Sequence, residues 1–102
     1  MSAANLRIYR IEDGRLEDFL AAWTAGVVPL RRRFGFSIKA WTVPHENTVV
    51  WVVAYEGEGS FEDAERAYYE SEERKSVDPD PAQFIAAKDV RWLEPLDLGS
   101  GS

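Results

Sequence analysis

The chain contains no cysteine. Disulfides, thiolate metal sites and a cysteine nucleophile are therefore excluded, and the composition suits a protein of the reducing cytosol. Histidine occurs once, at His45. One imidazole without an acidic cluster at ligand spacing does not make a metal site. No GxGxxG, Walker or GxSxG motif occurs, so nucleotide binding and serine hydrolysis have no local support, and no motif calls for a cofactor. No segment approaches the roughly 20 apolar residues of a membrane span, and Met1 to Leu6 lack the apolar stretch of a signal peptide. Basic residues are outnumbered 12 to 18, for a net charge of −6. That balance argues against nucleic acid as a partner and against a polybasic membrane anchor.

What the chain has is apolar and aromatic surface. Of its 102 residues 45% are hydrophobic and 13% aromatic, with four tryptophans. This is too apolar for a disordered segment and enough for one thin core. Residues 1–96 read as a single domain. Residues 97–102, ending Gly99-Ser100-Gly101-Ser102, read as a flexible linker appended to it.

Leu6 to Ile11 is rich in β-formers and predicts a first strand, stopped at Asp13-Gly14. From Arg15 to Phe34 the apolar residues Leu16, Phe19, Leu20, Trp23, Val27, Leu30 and Phe34 mark one helical face. Gly26 and Pro29 predict a kink within it, and Gly35 the residue that ends it. Arg31, Arg32 and Arg33 in the last turn suit the helix dipole and read as a solvated face. Phe36–Val43 and Val49–Tyr55 predict two strands around a Pro44-His45-Glu46-Asn47 turn, which leaves His45 exposed.

Ser60-Phe61-Glu62-Asp63 is a capping box opening a second helix to about Lys75, with (i, i+4) pairs at Glu62–Arg66 and Glu70–Arg74. Its carboxylates (Glu62, Asp63, Glu65, Glu70, Glu72, Glu73) spread around the helix and suggest solubility. Asp80 is placed to cap a short turn at Pro81, and Lys88–Leu93 is the last strand.

The order βαββαβ predicts an α+β, ferredoxin-like antiparallel sheet with both helices on one face. Val49 to Tyr55 is apolar on both faces, so its strand needs cover on both sides. A second copy, pairing to form a dimeric α/β barrel, is the simple cover, and a homodimer is the expected assembly.

Leu6-Arg7-x-Tyr9, Gly14-x-Leu16-x-x-Phe19-x-x-x-Trp23, Val28-Pro29-Leu30-Arg31 and Gly35-Phe36 together resemble the NIPSNAP family. Tyr68-Tyr69-x-Ser71 to Arg74-Lys75 and Trp92-Leu93-Glu94-Pro95 resemble its small bacterial members. The resemblance implies a dimeric α/β barrel of uncharacterised activity, with any pocket between sheet and helices. Related barrels include cofactorless antibiotic-biosynthesis monooxygenases and haem-degrading monooxygenases. The haem-degrading enzymes use an Asn on the first strand, a Trp ending the third and a His on the second helix. The corresponding positions here fall near Arg7, Tyr55 and Arg66 to Tyr69, none of which matches, and this argues against haem degradation.

Strand alternation puts Arg7 beside Tyr9, and Trp51 with Val53 and Tyr55, on one sheet face. Trp23 approaches from the first helix and Tyr68 or Tyr69 from the second; Trp41 and Trp92 fit either face. Two readings of this cluster stay open. It is either core, or a pocket in which Arg7, Tyr9, Trp23, Trp51, Tyr55 and Tyr69 hold a small apolar or aromatic molecule. The function read from the chain is a small NIPSNAP-like barrel with such a ligand. The alternatives are a cofactorless monooxygenase or cyclase, with Arg7 stabilising an enolate or phenolate, and an engineered scaffold, prompted by the Gly-Ser tail.

Overall fold

A computed structural model describes residues 4–99; the first three residues and the Ser100-Gly101-Ser102 part of the tail lie outside the described residues. Strands β1 (Ala4–Ile11), β2 (Phe36–Val43), β3 (Thr48–Tyr55) and β4 (Ile85–Leu93) form one sheet in the order β2-β3-β1-β4, antiparallel throughout. The helical segments pack on one face, giving the expected ferredoxin-like α+β fold. β4 begins three residues before the predicted start, because its pairing with β1 continues past Arg10↔Ala87 through a register shift to Ile11↔Ile85.

The first helical arm runs as α1 (Leu16–Ala22), a π-helical turn (Trp23–Val27) and α2 (Val28–Arg33). The predicted kink takes the form of this wider turn. Pro29 sits in the opening turn of α2, where its missing N–H matters least. Gly26 is needed for space, since a Cβ there would meet Val77 Cγ1 at 2.7 Å. Gly35 ends the arm at φ +94°.

The second helix is shorter than predicted. Ser60 Oγ caps α3 (Phe61–Glu70) by accepting from Asp63 N at 3.0 Å, as the capping box requires. At Ser71 the backbone turns extended, and its Oγ caps a new short helix, α4 (Glu72–Lys75), by accepting from Arg74 N. The expected (i, i+4) pairs give way to Arg66–Asp63, one turn back, and Arg74–Asp80, across the loop. Asp80 caps the turn at Pro81–Phe84 by accepting from Ala82 N at 3.0 Å.

The helices cover the side chains of Asn5, Arg7, Tyr9 and Ile11 on β1 and of Val49, Trp51 and Val53 on β3, all buried. On the opposite face Leu6, Ile8, Val50 and Val52 are only half-buried, and Trp41 is 56% exposed. Trp92 faces the helical side at the sheet margin, its ring 5.1 Å from that of Phe61. Among the described residues no helix is long and apolar enough to cross a membrane.

Candidate functional site

The centre of the helical layer is an ion cluster that alternation alone would not place there. Arg7 points at the helices because it alternates with Leu6 and Ile8. Its Nε donates to Asn5 Oδ1 (3.0 Å), two residues away on the same face, and its Nη2 to Glu65 of α3. Arg31 of α2 pairs with the other oxygen of the same carboxylate. The Tyr69 hydroxyl accepts from both guanidiniums, from Arg7 Nη1 at 3.3 Å and Arg31 Nη2 at 3.1 Å.

Two buried cations thus share one partly exposed anion. Arg31 is 1% exposed. It lies over the ring of Tyr68 at 4.1 Å and that of Phe36 at 4.8 Å, while Arg7 lies 5.1 Å from the Trp51 ring. Burial alone would lower the Arg7 pKa, but Tyr9, Tyr69 and Glu65 around it outweigh burial and hold it above its usual value. Burial also pushes the Tyr9 and Tyr68 hydroxyls up, against the nearby arginines, so both stay protonated at neutral pH.

Arg31 and Glu65 therefore depart from the sequence reading, which placed both on solvated faces. The signal that would have found them is their register. Arg31 is four residues after Val27, and Glu65 is four after Phe61 and three before Tyr68, so both sit within the apolar stripes.

Beside this cluster lies a cavity of about 90 Å³, lined in part by Tyr9, Trp23, Trp51, Tyr68, Tyr69 and Arg31. Its lining runs from the fully buried Trp51 to the exposed Lys88, so it opens at the surface. The aromatic rings meet mostly edge to face: Tyr9 on Trp51 at 5.7 Å and Trp23 on Trp51 at 5.2 Å, with Phe19 stacked on Trp23 at 6.0 Å.

Four of the six residues expected to share a pocket, Tyr9, Trp23, Trp51 and Tyr69, line this one. Arg7 adjoins it through Tyr69. Tyr55 stands apart: its hydroxyl donates to the Glu58 carbonyl (2.8 Å) and its ring packs on Phe36, although it shares a sheet face with Trp51. His45 is exposed in the β2–β3 turn and does not line the cavity. A larger surface groove of about 440 Å³ runs along α1 past Ala22, Gly26 and Val77; its charged pair, Arg15–Asp18, is exposed and already satisfied.

No protein-family model and no curated protein matches the chain. Solved structures match its fold closely. An uncharacterised NIPSNAP domain protein from Burkholderia xenovorans superposes with a TM-score of 0.82 at 17% identity, over 95% of this chain and 97% of that one. A NIPSNAP family protein from Agrobacterium tumefaciens gives 0.84 at 15% identity over the whole of both chains. A protein from Nitrosomonas europaea, described provisionally as an antibiotic biosynthesis monooxygenase, gives 0.71 at 13% identity over 95% and 92%. At these identities the likeness is one of fold, and it agrees with the NIPSNAP-like architecture read from the sequence.

Proposed function

We propose that this chain is a cytoplasmic NIPSNAP-like barrel protein that works as a homodimer and binds a small apolar or aromatic molecule between sheet and helices. The observation that carries the reading is the open aromatic cavity beside Arg7, Arg31 and Tyr69, where rings supply contact surface and hydroxyls supply orientation. An apolar cavity of about 150 Å³ admits benzene. This one is smaller, so a flat ligand would place its narrow end inside and its body at the outer rim, near Lys88 and Ala82. The half-buried Leu6, Ile8, Val50 and Val52, with exposed Trp41, support a second copy on the opposite sheet face.

The test is saturable quenching of tryptophan fluorescence by a panel of small aromatic compounds, since Trp23 and Trp51 line the cavity. Saturable quenching that Trp23→Phe diminishes is expected. A panel without any saturable member makes the cluster a core.

A cofactorless oxygenase or cyclase is the second reading. It is favoured by the fold likeness to the Nitrosomonas protein and by a guanidinium–tyrosine cluster able to stabilise an anionic intermediate. For any compound that quenches, ligand-dependent oxygen consumption identifies the oxygenase and conversion to a new product without oxygen uptake the cyclase; neither accompanies simple binding.

A further inference from the structure

The buried side-chain polar atoms left unsatisfied among the described residues all belong to residues that line the same cavity. Among the described residues, the buried side-chain atoms without a hydrogen-bond partner are Trp23 Nε1, Trp51 Nε1, Arg31 Nε and the Tyr68 hydroxyl. All four residues line the cavity, and none is more than 5% exposed. Native interiors leave few such groups unpaired, and each calls for an explanation.

Their chemistry is one-sided. An indole nitrogen and a guanidinium nitrogen only donate, and the Tyr68 hydroxyl is free to donate as well. Arg31 has its two terminal nitrogens engaged by Glu65 and Tyr69 and keeps Nε. The Tyr69 hydroxyl already accepts from two guanidiniums, which leaves its own proton for a further acceptor. The local charge points the same way. Arg7 and Arg31 face the single carboxylate of Glu65, Arg74 is matched by Asp80, and Lys88 adds a cation to the lining.

A set of unpartnered donors on the lining of one cavity, with surplus positive charge beside it, is the complement of an acceptor-rich anion. The remaining walls are apolar, formed by Phe19, Val27 and Ile85. That combination suits a carboxylate on an apolar or aromatic body better than an inorganic oxyanion. We infer that the cavity binds a small organic acid, its carboxylate accepting from Trp23, Trp51, Arg31 and Tyr68 and its body directed outward past Tyr69 and Lys88. This names the ligand class of the pocket proposed above and rests on that reading.

The two claims separate in one experiment, a titration of the intact protein labelled with ¹⁵N and followed by NMR. Four tryptophans give four indole N–H signals, assigned by single Trp→Phe variants. The probes are benzoate and benzyl alcohol, which share a ring and differ in charge. Benzoate is expected to shift the Trp23 and Trp51 signals saturably while Trp41 and Trp92, outside the cavity, stay still; benzyl alcohol should bind at least roughly tenfold more weakly. Tyr68→Phe removes one of these donors and keeps the ring that packs on Arg31, so it should fold normally and weaken benzoate several-fold. Equal binding of the two probes, or an unaltered benzoate affinity in Tyr68→Phe, overturns the acid assignment and leaves the pocket standing. No shift with either probe removes the pocket itself.

Discussion

Arg31 and Glu65, 34 residues apart in the chain, meet inside the helical layer as an ion pair that Arg7 joins from the sheet. The trio ties α2 to α3 and both to β1. A carboxylate serving two buried guanidiniums cannot be neutralised without stranding positive charge in a low-dielectric interior.

Glu65→Gln should therefore destabilise the fold by about 3–5 kcal/mol, the usual cost of removing one partner from a buried pair. Glu62→Gln, on the exposed side of the same helix, should stay within about 0.5 kcal/mol. Urea denaturation of both variants measures the difference. Equal, small effects would mean that the ion cluster is not stabilising.

Much of the fold was legible because apolar periodicity reports directly on burial. The strands around Tyr9 and Trp51 and the helical stripe from Leu16 to Phe34 lie where two- and 3.6-residue spacing put them. The ion cluster was hidden for a physical reason. Arg31 stands in a run of three arginines at a helix end and Glu65 among six carboxylates, so local chemistry explains each without a partner. Only tertiary packing singles them out. Tyr55 shows the opposite failure, since alternation gave its sheet face correctly but not its distance along the strand from the cavity.

Stability should also fall at alkaline pH. Tyr9 and Tyr68 have pKa values raised in the folded state, chiefly by burial, so the folded protein holds protons that the unfolded chain releases. Their contribution is complete below about pH 10, where an ordinary tyrosine ionises, and is lost as pH climbs through the raised values. Chemical denaturation between about pH 8 and 11 should show this decline, and Tyr68→Phe should flatten it. A decline identical in the variant would assign the effect to other groups.

The bare sheet face predicts the assembly. Light scattering behind size exclusion should give twice the 11.6 kDa chain mass at micromolar concentration. Trp41→Lys places a charge on that face at a site 56% exposed in the single chain, so folding should survive while dimer dissociation rises by roughly tenfold or more. A parent protein that runs as a monomer would contradict the barrel assembly.

The most direct measurement is the electron density of crystals soaked with benzoate. A carboxylate is expected within hydrogen-bond distance of Trp23 Nε1, Trp51 Nε1, Arg31 Nε and the Tyr68 hydroxyl, with the ring toward Lys88. Density showing only water between the indoles, with benzoate absent or bound elsewhere, would contradict it.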